Sequence, residues 1–254
     1  MELKELFEFL VSEAERPFAG WDFSHLEDRL INFPLTWSYR SIILPLIRNV
    51  NTLLDMGTGG GEFLSSLIPL PKHTCATEGY KPNVPLAKKR LEPLGVRVFQ
   101  SETDERLPFK DEDFDLIINR HESYASDEVN RILKPGGIFI TQQVGDKNDS
   151  KLRLILTGNE KLQNQIEWNL NFAVEELKTS NFQIIESHEN ITLTRIYDVG
   201  AIVFYLKAVP WELPDFSVKD YYNQLVEIHN QINNKGYLDL DTNNHRFLIK
   251  ARKL

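Results

Sequence analysis

Cysteine, long apolar runs and positive charge are all scarce in this sequence of 254 residues. The one cysteine, Cys75, excludes an intramolecular disulfide and a zinc cluster built from cysteines. No apolar stretch reaches the ~20 residues that a membrane-spanning helix needs. The start, Met1–Glu5, lacks the basic and apolar segments of a signal peptide. We therefore expect a cytoplasmic protein without a membrane partner, and no metal site is predicted.

The charge balance is acidic, with 29 Lys and Arg residues against 37 Asp and Glu residues and a formal net charge of −8. A protein that binds nucleic acid through its phosphates usually carries a basic excess or a basic patch. The basic clusters here, 88–90 and 250–253, are short and are typical of solvated faces. The balance favours a small-molecule partner over a polynucleotide, and nothing in the sequence sets an oligomeric state.

The most informative segment runs from Leu53 to Glu62 and reads Leu-Leu-Asp-Met-Gly-Thr-Gly-Gly-Gly-Glu. An apolar run ends in Asp55, glycines follow at alternate positions, and a helix-like stretch continues to Pro69. This order predicts a strand, a tight turn and a helix, with the turn backbone left open to a ligand. A dinucleotide fingerprint would need glycine at Glu62 or, two residues later, at Leu64. A P-loop would need a following Gly-Lys-Ser/Thr, so both motifs are excluded.

The remaining pattern, Asp-x-Gly-x-Gly-x-Gly, resembles the first motif of the class I S-adenosylmethionine-dependent methyltransferases, in particular their small-molecule, type 11-like branch. The resemblance implies S-adenosylmethionine as the cofactor. It also implies that a turn of Gly57, Thr58, Gly59 and Gly61 passes under the methionine part, and that Asp55 helps to hold the turn and the ammonium group. An ordinary glycine-rich turn of another α/β protein would show the same pattern in this segment alone.

A second segment, from His73 to Glu78, is β-compatible and ends in an acid 23 residues beyond Asp55. A carboxylate at the tip of the second strand of a βαβ unit can accept both ribose hydroxyl protons. The resemblance places the family's ribose-binding acid at Glu78. Gly79 then lets the chain turn, and Tyr80 either lays its ring against adenine or packs, half-buried, on the following helix.

The passage between the third and fourth strands contains Leu-Pro-Phe at 107–109 and an apolar run over 114–119. It is similar to the same passage in the family, where a polar residue just before Leu-Pro-Phe meets the adenine amino group. Glu102, Thr103 and Asp104 compete for that position in this sequence. We favour Thr103 or Asp104.

The order of these motifs over residues 51–143 predicts the fold class. We expect a doubly wound, seven-stranded and mostly parallel α/β sheet, the Rossmann-like methyltransferase fold, in one domain over 1–254. Pro-Gly-Gly at 135–137 introduces the fifth strand, and a helical apolar pattern covers 161–179. The expected parts are an N-terminal helical lid (1–50), a cofactor-binding core (51–190), a helical cap insertion (191–244) and the last strand (245–254).

Methyl transfer is an in-line displacement, so the protein has to align a nucleophile, exclude water and, for some acceptors, remove a proton. In the family's fold, the ends of the fourth and fifth strands face the methyl group. Asn119 is our candidate there for cofactor contact and catalysis, and Arg120 either holds a substrate carboxylate or pairs with Glu122. His121 is the candidate general base because imidazole titrates near neutral pH, although a strand-end histidine can also serve structure alone. Further candidates at the two strand ends are Glu122, Tyr124, Gln142 and Gln143.

The sequence therefore predicts an S-adenosylmethionine-dependent methyltransferase that acts on a small molecule. Two alternatives stay open, an RNA methyltransferase and a binding protein that keeps the cofactor pocket without methyl transfer. The segment 119–122 lacks the Asn/Asp-Pro-Pro-aromatic motif of the relatives that methylate amino groups of nucleic acids. Cys75 falls in the second strand beside the cofactor, which argues against covalent attack on a pyrimidine ring. Neither the acceptor nor its reacting atom is indicated.

Overall fold

The computed structural model describes residues 2–18, 21–162 and 166–254. The helices are α1 Leu3–Ala14, α2 Tyr39–Ile47, α3 Glu62–Ser65, α4 Val84–Leu91, α5 Ser126–Ile132, α6 Ser150–Thr157, α7 Leu170–Thr179, α8 Val199–Ala208 and α9 Tyr222–Lys235. The strands are β1 Leu30–Asn32, β2 Thr52–Met56, β3 His73–Glu78, β4 Arg97–Gln100, β5 Phe114–Arg120, β6 Leu133–Val144, β7 Phe182–Ile196 and β8 Leu238–Lys253. In the described part of the chain, no helix is long and apolar enough to cross a membrane.

The strands form one sheet in the order β1-β7-β8-β6-β5-β2-β3-β4. The five strands from β6 to β4 run parallel, while β8 pairs antiparallel with both β6 and β7. From β2 the chain winds first towards β3 and later returns to β5 on the other side, so β2 lies at the topological switch point of the sheet. The predicted doubly wound fold is confirmed, and the glycine turn stands at the position where such sheets bind ligands.

Over the described residues the sheet has eight strands, and the seven-strand prediction omits β1. Leu30–Asn32 lies within the segment 1–50, which we expect to be a helical lid, and it pairs antiparallel with β7, with Leu30 opposite Ile196. Without β1, the unpaired N–H and C=O groups of β7 would form an open sheet edge at this point. The N-terminal segment is therefore joined to the sheet by backbone hydrogen bonds as well as by helix packing.

The last two strands are longer than predicted and form a hairpin that extends beyond the central sheet. Their register runs from Phe182 opposite Lys253 to Ile196 opposite Leu238. The last strand thus begins seven residues before residue 245, and the inserted segment between the strands is 197–237. The extension of β7 contains the β-branched residues of the Ile-Thr-Leu-Thr stretch at 191–194, which favour a pleated, partly buried surface.

The helix predicted over 161–179 is shorter in the structure, and residues 163–165 of that prediction lie outside the described residues. The helix α7 starts at Leu170 because Asn169 caps it: the Asn169 side chain accepts a hydrogen bond from the backbone N–H of Phe172 (3.1 Å). Its buried face, formed by Ala173 and Leu177, packs on the sheet.

Two apolar cores cover the two faces of the sheet, and neighbouring residues of β2 divide between them. Leu54 belongs to the core that contains α5 and α7, whereas Leu53 belongs to the core that contains α2, α3 and α4. This division is the period of two that a strand imposes on its side chains. It fixes which polar side chains at the strand ends share a face.

A third core lies under the cap, and the N-terminal helix forms part of it. Leu6 and Leu10 of α1 pack with apolar residues of α6, α8 and α9 and with Ile196 and Leu240 of the long hairpin. The cap is therefore not buried against the sheet alone. It shares its core with α1 and with the hairpin that carries it.

We predict that Leu10→Ala lowers the free energy of unfolding by about 2–5 kcal/mol, the range for deleting a large buried aliphatic side chain. Leu10 is 0% exposed in the cap core, whereas Leu3 of the same helix is 61% exposed. Leu3→Ala is therefore the matched control and should change stability by about 0.5 kcal/mol or less. Urea denaturation of both variants measures the difference, and equal small effects would show that α1 does not stabilise the cap.

Candidate active site

The glycine turn follows β2 and has a backbone that other residues adopt with difficulty. Gly57, Gly59 and Gly61 have φ values of +66°, +63° and +82°, in the left-handed region that disfavours side chains. The N–H of Thr58 donates to the carbonyl of Thr77 (2.9 Å) and ties the turn to β3. A Cβ added at Gly59 would meet no protein atom closer than Trp21 Cδ1 at 3.4 Å, so the backbone there lies open beneath an aromatic ring.

Glu78 ends β3 and holds the turn in place. Its Oε2 accepts the N–H of Gly59 (2.6 Å), and its Oε1 accepts the N–H of Tyr80 (2.7 Å). The residue is 3% exposed, and burial raises the pKa of its carboxyl while the backbone N–H groups act in the opposite direction. Glu78 therefore stands beside the glycine turn, at the strand end where the sequence placed a ribose-binding acid.

Two acids and one threonine are the candidates for the adenine contact, and their side chains are directed to different places. Glu102 is exposed and pairs with Lys81 (2.9 Å), and the Thr103 hydroxyl accepts the N–H of Glu105 within its own turn (3.2 Å). Asp104 instead faces the end of β5 and accepts a hydrogen bond from the Ser123 hydroxyl (2.5 Å). Of the three, Asp104 is the one directed into the site.

Two flanking residues of β3 complete this side of the site. Tyr80 is 59% exposed, so it does not pack half-buried on the following helix, and its ring is free to contact a ligand. A Cβ at Gly79 would lie 2.9 Å from the carbonyl oxygen of Ser101. The close approach of the two backbone segments therefore explains why this position is a glycine.

Glu122 was only a secondary candidate in the sequence, yet its side chain lies directly against the glycine turn. A Cβ added at Gly57 would collide with the Glu122 side chain. Burial and the nearby charges of Asp104 and Glu78 raise the pKa of Glu122 to about 7. Burial likewise raises the pKa of Asp55 to about 7, although the charge of Arg120 opposes this rise. Four carboxyl groups thus gather at this end of the sheet, and their field favours a cationic ligand.

Asn119 and Arg120 lie on opposite faces of β5, as consecutive strand residues must. The Asn119 side chain is 0% exposed. Its Oδ1 accepts hydrogen bonds from Thr141 Oγ1 (3.0 Å) and Gln143 Nε2 (2.8 Å). Gln143 also donates to the carbonyl of Glu122 (2.8 Å). This bonding disfavours the predicted contact of Asn119 with cofactor or substrate and gives the residue a positioning role behind the loop.

Tyr124, another candidate at this strand end, lies among apolar residues instead of in the site. Its ring packs on Phe139 and Trp168, with centroid separations of 5.1 Å and 6.1 Å. Burial raises the pKa of its phenol above the usual value for tyrosine, which is already far above neutral. The group therefore does not serve as an acid or a base near neutral pH.

The protonation state of His121 follows from a chain of hydrogen bonds. Trp37 Nε1, which can only donate, lies 3.0 Å from Gln142 Oε1, so the Gln142 amide nitrogen must be the atom 3.0 Å from His121 Nε2. That nitrogen donates, so His121 Nε2 accepts and the ring proton is on Nδ1. As placed, His121 offers a hydrogen-bond donor, and its lone pair is already occupied. The structure thus disfavours the general-base role that we predicted.

The surroundings of His121 favour the neutral form of the ring. His121 is exposed to solvent, and it has a positive φ of +65° at the turn after β5. Desolvation by the surrounding protein and the positive charges of Arg246 and Arg120 lower its pKa below the usual value, and the solvent contact of the residue screens part of this effect. Arg246 on β8 was not identified from the sequence, because no local pattern places residue 246 beside residue 121.

Aromatic residues from two distant segments meet above the glycine turn. Trp21 of the N-terminal loop lies over Gly59, and its ring packs edge-on against Trp211 of the inserted cap, with centroids 5.8 Å apart. Phe18 and Phe23 pack beside Trp21 at 5.9 Å and 6.3 Å. The N-terminal loop and the inserted cap therefore contact each other above the glycine turn, which the sequence did not indicate.

Residues 54–141 match the protein family described as "Methyltransferase domain". Over 181 residues the chain is 28% identical to "Probable methyltransferase PMT5" of Arabidopsis thaliana, a match that covers 63% of this chain and 29% of that protein. Over 129 residues it is 26% identical to the ubiquinone biosynthesis O-methyltransferase of Cereibacter sphaeroides, covering 48% of this chain and 52% of that protein. The chain thus spans from under a third to about half the length of these curated relatives.

A third relative is similar in sequence and in structure. The uncharacterized methyltransferase YcgJ of Bacillus subtilis is 31% identical over 102 residues, which cover 37% of this chain and 40% of that protein. Its crystal structure superposes with a TM-score of 0.56 at 18% identity and covers 84% of this chain and 97% of that chain. This superposition supports the fold.

We predict that His121 stays neutral at pH 6, where an ordinary histidine is mostly charged. Arg246→Gln should raise the pKa of His121, since it removes one of the two positive charges that lower it. Arg16→Gln, at an exposed position beyond α1, is the control and should leave His121 unchanged. Long-range ¹H–¹⁵N spectra of the imidazole rings report both pKa and tautomer. An ordinary titration of His121 near pH 6.5, or a proton on Nε2 of the neutral ring, would contradict the arrangement.

Proposed function

We propose, from the premise that the chain belongs to the class I S-adenosylmethionine-dependent methyltransferases, that it transfers a methyl group from this cofactor to a small molecule. The observation that carries the proposal is the contact of Glu78 with Gly59 at the switch point of the sheet. It joins the glycine turn of the family's first motif to the acid of the second strand. A ligand seated there would meet an open backbone turn, a carboxylate and an exposed tyrosine.

The residues present fit S-adenosylmethionine. Glu78 and Asp104 supply acceptors for hydroxyl and amino groups, and the exposed ring of Tyr80 supplies a flat apolar surface. Asp55 and Glu122 add negative charge beside the turn, which suits a ligand with an ammonium and a sulfonium group. When bound, the cofactor supplies a methyl group already activated by the positive sulfur. The chain's own residues hold the ligand, orient the acceptor and exclude water.

A small-molecule acceptor, in a cytoplasmic protein, is our proposal for the whole chain. The contact between Trp21 and Trp211 above the glycine turn supports a small-molecule acceptor. The ring centroids are 5.8 Å apart, which leaves little room there for a polymer. The acidic balance of the sequence supports it as well. Incubation with methyl-labelled cofactor and either a metabolite extract or total RNA tests the proposal. Label in a small product is expected. Label only in RNA would overturn the acceptor class, and no transfer to any fraction would favour a binding protein.

We predict that Glu78→Ala weakens the binding of S-adenosylmethionine about tenfold or more, corresponding to roughly 1.5–3 kcal/mol for hydrogen bonds to a charged group. The matched control is Glu102→Ala, because Glu102 is an exposed acid of the same region that pairs with Lys81. The control should change the affinity less than about twofold. Calorimetry on both folded variants checks the prediction, and equal affinities would show that Glu78 is not a cofactor ligand.

We predict that the affinity for S-adenosylmethionine falls as the pH drops below about 7. The carboxyl groups of Asp55 and Glu122 have pKa values of about 7 in the ligand-free protein, and a cation favours their ionised forms. Affinity should therefore be highest above pH 7 and decrease by up to about tenfold per pH unit for each group that must lose its proton. Calorimetry from pH 6 to pH 8 measures this slope.

Glu122→Gln should flatten the pH dependence, whereas Glu105→Gln, at an exposed position, should not. S-adenosylhomocysteine carries no sulfonium charge, so its binding should depend less steeply on pH. The same steep slope in Glu122→Gln as in the natural sequence would remove Glu122 from the explanation.

A further inference from the structure

Two arginines at the end of the central strands form no close ion pair with an acid. Among the described residues, no carboxylate oxygen lies within 4 Å of Arg120 or Arg246, whereas several other arginines form close ion pairs. These pairs are Arg29–Asp198, Arg131–Glu128, Arg153–Glu212 and Arg195–Asp239. In a chain with 37 acidic residues, two guanidinium groups at one site that interact with acids only from beyond ion-pair distance need an explanation.

The contacts of the two arginines leave hydrogen-bond donors unused. Arg120 is exposed, and its guanidinium carbon lies 4.9 Å from the ring centre of Phe63, a contact that uses the face of the cation and not its N–H groups. Arg246 donates from Nη1 to Asn148 Oδ1 (2.6 Å) and to the carbonyl of His245 (2.8 Å), both neutral acceptors. Burial lowers the pKa of Arg246, while the nearby groups of Tyr205, Asp149 and Glu212 act in the opposite direction from beyond ion-pair distance.

The strand register brings the two arginines to one face of the sheet. Arg120 on β5 lies opposite Gln142 on β6, and Arg246 on β8 lies opposite Val144, two residues further along β6. Residues opposite one another in a ladder share a face, and so do residues two apart in a strand. Both arginines therefore flank Gln142, the residue that fixes the His121 ring.

His121 adds a third donor between the arginines. Its Nε2 accepts the hydrogen bond from Gln142, so the proton on Nδ1 faces away from that partner, and no described residue is within hydrogen-bond distance of Nδ1. Both arginine charges act on the ring. The cluster thus offers two cations and one neutral donor, and its only acceptor is already in use.

We propose that Arg120, His121 and Arg246 form an oxyanion-binding subsite for the methyl acceptor, so that the acceptor is a small molecule with a carboxylate or phosphate group. The inference rests on the proposed function, because it assigns the substrate class of that same site. A planar guanidinium matches the geometry of both oxyanions. The subsite lies beside the carboxyl groups that favour the cationic cofactor, so the two halves of the site have opposite charge.

One other explanation has to be separated from this one. Arg120 lies close enough to Asp55 to lower its pKa, so it could serve only to offset that buried acid. In that case Arg120→Gln would weaken cofactor binding and leave anion binding unchanged. A substrate-binding role predicts the reverse, and Arg246, whose charge acts on His121, should behave like Arg120.

The test uses protein saturated with S-adenosylhomocysteine and three probes of similar shape: benzoate, phenyl phosphate and neutral benzamide. Binding is followed by the imidazole signals of His121 and by calorimetry. We expect benzoate or phenyl phosphate to shift the His121 signals at millimolar concentration, and benzamide to leave them unchanged. Whichever anion binds more tightly identifies the oxyanion as carboxylate or phosphate.

Arg120→Gln and Arg246→Gln should each weaken anion binding about tenfold, as expected for the loss of a charge-assisted contact. Arg246→Lys, which keeps the charge, should lose less. The control is Arg40→Gln, since Arg40 is held by Ser66 (2.7 Å and 2.8 Å) on the exposed side of α2. No shift with either anion, equal shifts with benzamide, or full anion affinity in both glutamine variants would overturn the proposal.

The affinity for S-adenosylhomocysteine, measured on the same samples, separates this proposal from the proposed function. If the cofactor product binds and the anions do not, the oxyanion subsite is wrong and the methyltransferase proposal stands. If the anions bind to the unliganded protein and the cofactor product does not, the subsite stands and the cofactor assignment is wrong.

Discussion

The carboxylate of Glu78 is the contact on which the rest of the site depends. A turn of glycines at positive φ has little conformational preference of its own, because glycine loses more backbone freedom on folding than any other residue. The two charge-assisted hydrogen bonds from Gly59 and Tyr80 to Glu78 supply the missing order and tie the end of β2 to the end of β3. The turn is thus held open before a ligand arrives, so binding need not include the cost of ordering it.

Around this contact the two faces of the sheet have different roles: one face carries side chains that hold the loop after β5, and the other carries side chains that can contact a ligand. Asn119, Thr141 and Gln143 share one face and satisfy one another, which fixes the loop after β5 from behind. Arg120 and Gln142 share the other face, where the donors of Arg120 and His121 remain free for a ligand. A shift of one residue in the register of β5 would exchange these roles and would bury a guanidinium where an amide now lies. The register of the central strands is therefore as important to the site as any single side chain.

The parts of the site that could be predicted from the sequence are those whose position depends on a short stretch of chain. Asp55, the glycine turn and Glu78 belong to one strand-turn-helix-strand unit, and local order fixes their arrangement. Arg246, Trp211 and β1 depend on contacts between residues far apart in the chain, and no periodicity or motif encodes such contacts. The bonding that disfavours a ligand contact of Asn119 could not be predicted for a related reason: the sequence predicts the strand end, but the face occupied by each residue follows from packing. The extended β7 could have been found from its β-branched residues, had the insertion not been assumed to start at residue 191.

The two charged halves of the site must influence each other if both proposals hold. Without a cofactor, the carboxylates of Asp55, Glu78 and Glu122 reduce the attraction of Arg120 for an anion, and Arg120 in turn lowers the pKa of Asp55. A bound cation neutralises the carboxylates, so the arginines then attract an anion more strongly. Cofactor binding should therefore strengthen anion binding. Linkage then requires the anion to strengthen cofactor binding by the same factor. The separation of charge that selects two different ligands thus also favours their presence together, which is the condition for transfer from one to the other.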